Sequence, residues 1–220
     1  MRQISIVILF VFGFGAYGAA NLPQKHEDEA YWEVVSKRAE KIVETLDIDV
    51  EEKFNRVRDL IAQQYYDLNG VHDQLDATVK TLKEEAKDEE QVKAKIEELT
   101  EKADQKLDSL HNSYLKNLAK DLKPDQIEKV KDGMTYSVFP KTYQAFQEMI
   151  PQLTEDQKKF IYRALYDARE RAMDAGSSKA KHAWFGKYKG RINNYLSKEG
   201  YDLNKESKDW HKRIEDAKKK

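Results

Sequence analysis

The chain has 220 residues, of which 36% are charged and 40% apolar, with a formal charge of −1 and no cysteine. Near-neutrality excludes a global field that would draw it to nucleic acid or to an acidic membrane. The missing cysteine excludes disulfides, thiol nucleophiles and thiolate metal sites, and four prolines with nine glycines leave room for long uninterrupted elements.

The opening "MRQISIVILFVFGFGAYGAAN" reads as a secretory signal. Arg2 is the positive start, residues 4–14 are an apolar run too short to span a bilayer, and small residues offer cleavage after Ala20. Residues 1–20 are therefore set apart from the fold. The mature protein is expected in the periplasm or secreted, with no stable membrane insertion after cleavage.

Residues 28–46 space Tyr31, Val34, Val35, Ala39, Ile42, Val43 and Leu46 as one face of a helix. Asp49, with Glu52 three residues on, has the form of a capping box for a second helix through Phe54, Val57, Ile61, Tyr65 and Leu68. From Val92 to Leu118 apolar residues recur in steps of three and four. Val92, Ala103 and Tyr114 mark an eleven-residue repeat, the period of a straight or slightly right-handed seam. Asp88 and Gln91 form another capping pattern, so the segment is expected to be a coiled-coil-like hairpin that turns near Lys87 and Asp88.

At Leu122 the texture changes. Pro124 opens a helix over 124–131, ended by Gly133. A further helix lies near 135–149, starting there or at Pro140, with Tyr136, Phe139, Tyr143, Phe146 and Met149 apolar. Thr154 and Gln157 box the start of a helix over 155–174, with Phe160, Ile161, Leu165, Ala168 and Met173 inward. Gly176 breaks the chain, Ser178 caps a helix over 179–198, and Gly200 ends it. No segment alternates with period two, so the fold class is all-α. The expected organisation is a helical arm over 27–121, a denser helical lobe over 122–204 and a charged, fraying helical tail over 205–220.

The chemistry concentrates in "DAGSSKAKHAWFGKYKGRINNYL". From Gly176 to Lys198 there are six lysines and arginines and no acid, interleaved with Trp184, Phe185, Tyr188 and Tyr195. Trp184, Tyr188, Ile192 and Tyr195 fall on one side of a helix. Core packing is the plain reading of such a row. The sharper reading is a stacking platform for a sugar ring, with Lys181, His182, Arg191, Asn193 and Asn194 bonding its hydroxyls and Tyr136 and Tyr143 closing a pocket wall. A uronic acid would also pair its carboxylate with Arg191 and the lysines. Gly186 and Gly190 lack the spacing of a phosphate loop and are read as points of close packing or ligand approach.

Arg169, Glu170 and Asp174 project together on the preceding helix, so Arg169 and Asp174 join the candidate ligand-binding set. The carboxylates recommend glycoside hydrolysis less than an ion-pair network. The five histidines, His26, His72, His111, His182 and His211, are scattered, so no metal site and no cofactor are expected. "LKPDQ" and "LTEDQ" resemble the LTxxQ repeats of small periplasmic helical chaperones, although capping alone produces such text.

The run "ARERAMDAGSSKAKHAWFGKYKGRINNYL", within Asp132 to Leu203, resembles an uncharacterised family of exported Bacteroidetes proteins, described as sugar-binding and found near polysaccharide-utilisation genes. The resemblance implies a secreted helical protein with an oligo- or polysaccharide ligand. The leading expectation is a non-catalytic carbohydrate-binding accessory protein. A periplasmic chaperone or scaffold that meets a protein partner through the arm stands second, and a glycan-active enzyme third. Nucleic acid is not an expected partner of an exported chain.

Overall fold

The computed structural model describes residues 28–85 and 88–219, and the expected signal over residues 1–20 lies outside them. Among the described residues there are eight α-helices and no strand, which bears out the all-α class. Helix α1 (Glu29–Val43) starts where Asp28 accepts a hydrogen bond from the Tyr31 amide at 2.8 Å. Helix α2 (Glu51–Glu85) begins one residue later than a cap at Asp49 would place it. Helix α3 (Glu89–Asp121) is capped by Asp88, whose carboxylate accepts from the amides of Glu90 and Gln91. Arg56, near the start of α2, meets Asp121, at the end of α3, at 2.8 Å, so the two helices run antiparallel.

Past Val71 on α2 and before Tyr114 on α3 no described side chain is fully buried. There Leu75, Val79 and Leu82 of α2 and Val92, Ile96, Leu99, Ala103 and Leu107 of α3 are half-buried. The seam spacing read from the sequence is thus the one used. Nearer the base the same helices enter a first core with α1 and α4 (Pro124–Met134): Val35, Ile42, Leu46, Ile61, Leu118, Val130 and Met134 are buried together, joined by Met173. That core runs across position 122, where the composition changes.

A second core joins α5 (Val138–Met149), α6 (Glu155–Met173) and α7 (Ser178–Lys198) through Phe139, Phe146, Ile161, Leu165, Phe185, Ile192 and Leu196. Helix α6 therefore serves both cores, giving Met173 to one and Ala172 to the other. Its start is the expected box: the Thr154 amide donates to Gln157 Oε1 at 3.0 Å, and the Gln157 amide donates to Thr154 Oγ1 at 3.3 Å.

Three local expectations are corrected. Gly133 does not end α4, which continues to Met134 and closes in a Schellman turn: the Ser137 amide donates to the Asp132 carbonyl at 2.7 Å, and the Tyr136 amide to that of Gly133 at 3.3 Å. Tyr136 therefore lies outside α5. Phe160 is 39% exposed rather than inward. The cap of α7 is Ser177, whose Oγ accepts from the Ala180 amide at 3.1 Å. The tail is helical as expected, forming α8 (Leu203–Lys218), where Arg213 Nη2 donates to the carbonyls of Glu148 and Met149 at 2.8 and 3.0 Å.

Candidate functional site

A cleft of about 730 Å³ lies between α1, α2, the end of α4 and the corner joining α6 to α7. Its size is that of a small-molecule site. Three tyrosines from three elements face it: Tyr31 of α1, Tyr65 of α2 and Tyr136 of the turn after α4. Among the described residues the hydroxyls of Tyr31 and Tyr65 have no hydrogen-bond partner, although both rings are half-buried. Burial pushes both hydroxyls above the usual tyrosine range, so they stay protonated and able to donate.

Tyr136 owes its place to backbone geometry. It and Ser137 are both left-handed, at φ 60° and 54°. The same Schellman turn ends α7, but there the left-handed residue is Gly200, at φ 96°. At the cleft a tyrosine takes the glycine position, at a cost on the order of 1 kcal/mol. Its ring stacks on His182 at 5.5 Å with an 11° tilt and remains 49% exposed at the rim.

Lys181, from the first turn of α7, lines the cleft and is only 6% exposed. Its Nζ donates to the carbonyls of Ala172 and Met173 at 3.0 and 2.9 Å, closing the carboxyl end of α6. No carboxylate bonds it among the described residues. Burial pushes its pKa down to about 8; Asp174 opposes that shift, while the positive charge of Arg38 adds to it.

On α7 each ring of the expected platform has a neighbour from the chain itself. Lys187 Nζ sits 4.9 Å from the Trp184 ring centre, and the Arg191 guanidinium 4.6 Å from that of Tyr188. The helix's own cations thus cover these rings. Tyr195 stacks on Phe160 at 4.0 Å. Trp184, Tyr188 and Tyr195 are all half-buried against the second core. Asn193, Asn194 and Arg191 are exposed. Gly186 and Gly190 have nothing within 4 Å of where a Cβ would stand, so close packing does not explain them.

The remaining candidates scatter. Arg169 is 1% exposed and cannot meet a ligand. Its Nη1 donates to Asp132 Oδ1 at 2.7 Å, its Nη2 donates to Glu128, and its guanidinium lies 4.8 Å from the Phe139 ring centre. Asp174 and Tyr188 border a shallow hollow on the other flank of α6, beside His111 and Glu170. Glu170 accepts from Lys131 Nζ at 2.9 Å. Burial pushes its carboxyl up, but His111 and Lys131 outweigh that and hold it below the ordinary range. These acids form an ion network that ties α3, α4 and α6 together. Tyr143 borders a third hollow with Tyr162 and Tyr166.

Of the residues singled out from sequence, the cleft therefore gathers Lys181 and Tyr136, with His182 behind the latter. Sequence reasoning missed Tyr31, Arg38, Lys41 and Tyr65. Tyr31, Arg38 and Lys41 follow one another on α1 at steps of seven and three, a single stripe that is legible in sequence only as the edge of a core face.

The model of a family of proteins of unknown function (DUF3826) matches residues 32–216, and the chain belongs to that family. No curated protein matches the sequence. Among the described residues no helix is long and apolar enough to cross a membrane.

Proposed function

We propose that the chain is an exported, non-catalytic carbohydrate-binding protein of glycan utilisation, with its ligand in the cleft between α1, α2, α4 and the α6–α7 corner. The observation that carries this reading is the pairing of tyrosine rings with unused tyrosine hydroxyls in one cleft of ligand size. A sugar ring offers C–H groups on its face and hydroxyls at its edge, and such a lining answers both. Asn69, Thr45 and Ser177 add further polar groups to the wall. The strained turn that presents Tyr136 supports the same reading, because strain of this kind persists where a side chain must be aimed. Export rests on the leader-like residues 1–20, and the sugar-binding Bacteroidetes context on the resemblance of residues 132–203.

The rival readings are less well served. Hydrolysis asks for two carboxyls flanking the substrate, whereas the only acid lining the cleft among the described residues is Asp132, engaged by Arg169. A chaperone asks for an open apolar face on the arm. Among the described residues the exposed large apolar side chains are Val34, Val50, Tyr136, Phe160 and Tyr162, none of them on the hairpin.

The test is a calorimetric screen of the full mature chain against plant and host oligosaccharides, with Tyr136→Ala and Trp184→Ala in parallel. Saturable binding lost in Tyr136→Ala and kept in Trp184→Ala is expected. Loss in Trp184→Ala alone, with its fold intact, would move the site to α7.

A further inference from the structure

The cleft's charge is far from that of the chain. Four cations line it, Arg38, Lys41, Lys129 and Lys181, against the single described acid Asp132, in a protein of net charge −1. Asp132 is already spent on Arg169, and Lys129 is held by Asp47 at 3.3 Å and by the Thr45 carbonyl at 3.2 Å. Arg38 and Lys41 have no hydrogen bond or ion pair among the described residues. With 40 acids in the chain, two adjacent free cations facing one cavity call for a cause.

The charges also converge. Arg38 lies close enough to Lys181 for its charge to be felt there, and it acts in the same way on Tyr31 and Tyr65. A guanidinium and a buried ammonium that no carboxylate bonds directly, among the described residues, therefore line the same tyrosine-lined space. Burying an ammonium with no carboxylate partner is unfavourable, and an arriving anion would relieve it. Both cations gain from one ligand oxyanion, and the guanidinium fork matches two of its oxygens.

Resting on the carbohydrate reading above, we propose that the ligand is an acidic saccharide, one bearing a carboxylate or a sulfate ester, whose oxyanion is held between Arg38, Lys41 and Lys181 while its ring lies against the tyrosines. Arg38 and Lys41 are both exposed at the cleft edge, so removing their charge leaves the core untouched. Lys181 supports the carboxyl end of α6 and is left in place in the first test.

The experiment is titration calorimetry of the mature chain with a neutral oligosaccharide, a length-matched oligouronide, a length-matched sulfated oligosaccharide and inorganic sulfate alone. Wild type, Arg38→Gln and Lys41→Gln are compared at two salt concentrations. The acidic saccharides are expected to bind at least about tenfold more tightly than the neutral one. Each variant should erase much of that margin, and added salt should weaken binding of the acidic ligands only. The uronide and sulfate arms decide which oxyanion the site prefers. Equal binding of neutral and acidic saccharides, unchanged in Arg38→Gln, would overturn the acidic ligand while leaving the carbohydrate reading standing. Arg38-dependent binding of sulfate alone, with no saccharide bound, would overturn the carbohydrate reading and leave an oxyanion site. Binding of neither would overturn both.

Discussion

His111 Nδ1 donates to Asp174 Oδ2 at 2.9 Å, and the same aspartate's carbonyl accepts from His72 Nε2 at 2.7 Å. Residues of both arm helices thus grip the corner where α6 turns into α7, across 63 and 102 positions of sequence. The hydrogen bond to Asp174, then that to Glu170, holds the His111 pKa up at about 9 against an ordinary 6.5. The protonated form is favoured by folding, so its contribution is complete below about pH 6.5 and is lost as the pH rises through about 9. His111→Gln is expected to cost about 1–2 kcal/mol at pH 6, after allowance for the solvent that reaches the ring. Its deficit should shrink toward pH 9.5. Urea unfolding across that range measures it, and a deficit independent of pH would mean the ring acts by packing alone.

Gly176 lies against the same corner's other histidine. A Cβ there would stand 2.6 Å from His72 Cγ, inside any real contact, and an imidazole ring cannot bend away as a flexible chain end can. Gly176→Ala is therefore expected to push His72 off the Asp174 carbonyl and to lower stability by about 1–3 kcal/mol. A Tm within error of the parent would show that the corner relaxes freely.

Much of the fold is legible in the sequence because helices announce themselves locally. The three-and-four steps of Leu99, Leu107 and Leu118, the box at Thr154 and the stop at Gly200 each act within one or two turns of their own chain. The site is not legible in that way. Tyr31, Tyr65 and Tyr136 come from three elements, and nothing local to any of them tells what it faces. The row Trp184, Tyr188 and Tyr195 stands out because it is local, yet its rings are taken up by Lys187, Arg191 and Phe160. Tyr136 reads as helical because a tyrosine at a left-handed position leaves no mark in the sequence, whereas glycine there would.

Arg169 reads in sequence as a ligand group and lies instead among Asp132, Glu128 and Phe139. Arg169→Met should leave those acids without their partner and destabilise by about 3–5 kcal/mol. Chemical denaturation would detect this. Any loss of ligand affinity should track the unfolded fraction rather than precede it.

At Tyr136 strain and function should separate. Tyr136→Gly removes the left-handed penalty of about 1 kcal/mol and gives up only a half-exposed ring stacked on His182. The variant is expected to be as stable as the parent or more so, and to lose saccharide affinity. A clear drop in Tm with affinity retained would mean that the ring braces the turn and does not serve a ligand.

Gly186 and Gly190 let the two surfaces be told apart without disturbing either. Both sit inside α7 on its open side, with nothing near the place an added methyl group would take and no positive φ to require glycine. Alanine has the better helix propensity by about 1 kcal/mol at each position. Gly186→Ala with Gly190→Ala is therefore expected to raise stability by about 1–2 kcal/mol. If the ligand occupies the cleft, its affinity in the double variant should equal that of the parent, because neither glycine lines that cavity. If a polymer instead lies along α7, two added methyls on the helix face would stand between it and the backbone, and affinity should fall while stability rises. Calorimetry and thermal unfolding on the one variant separate these outcomes, since gained stability with unchanged affinity is what a cleft-bound ligand requires.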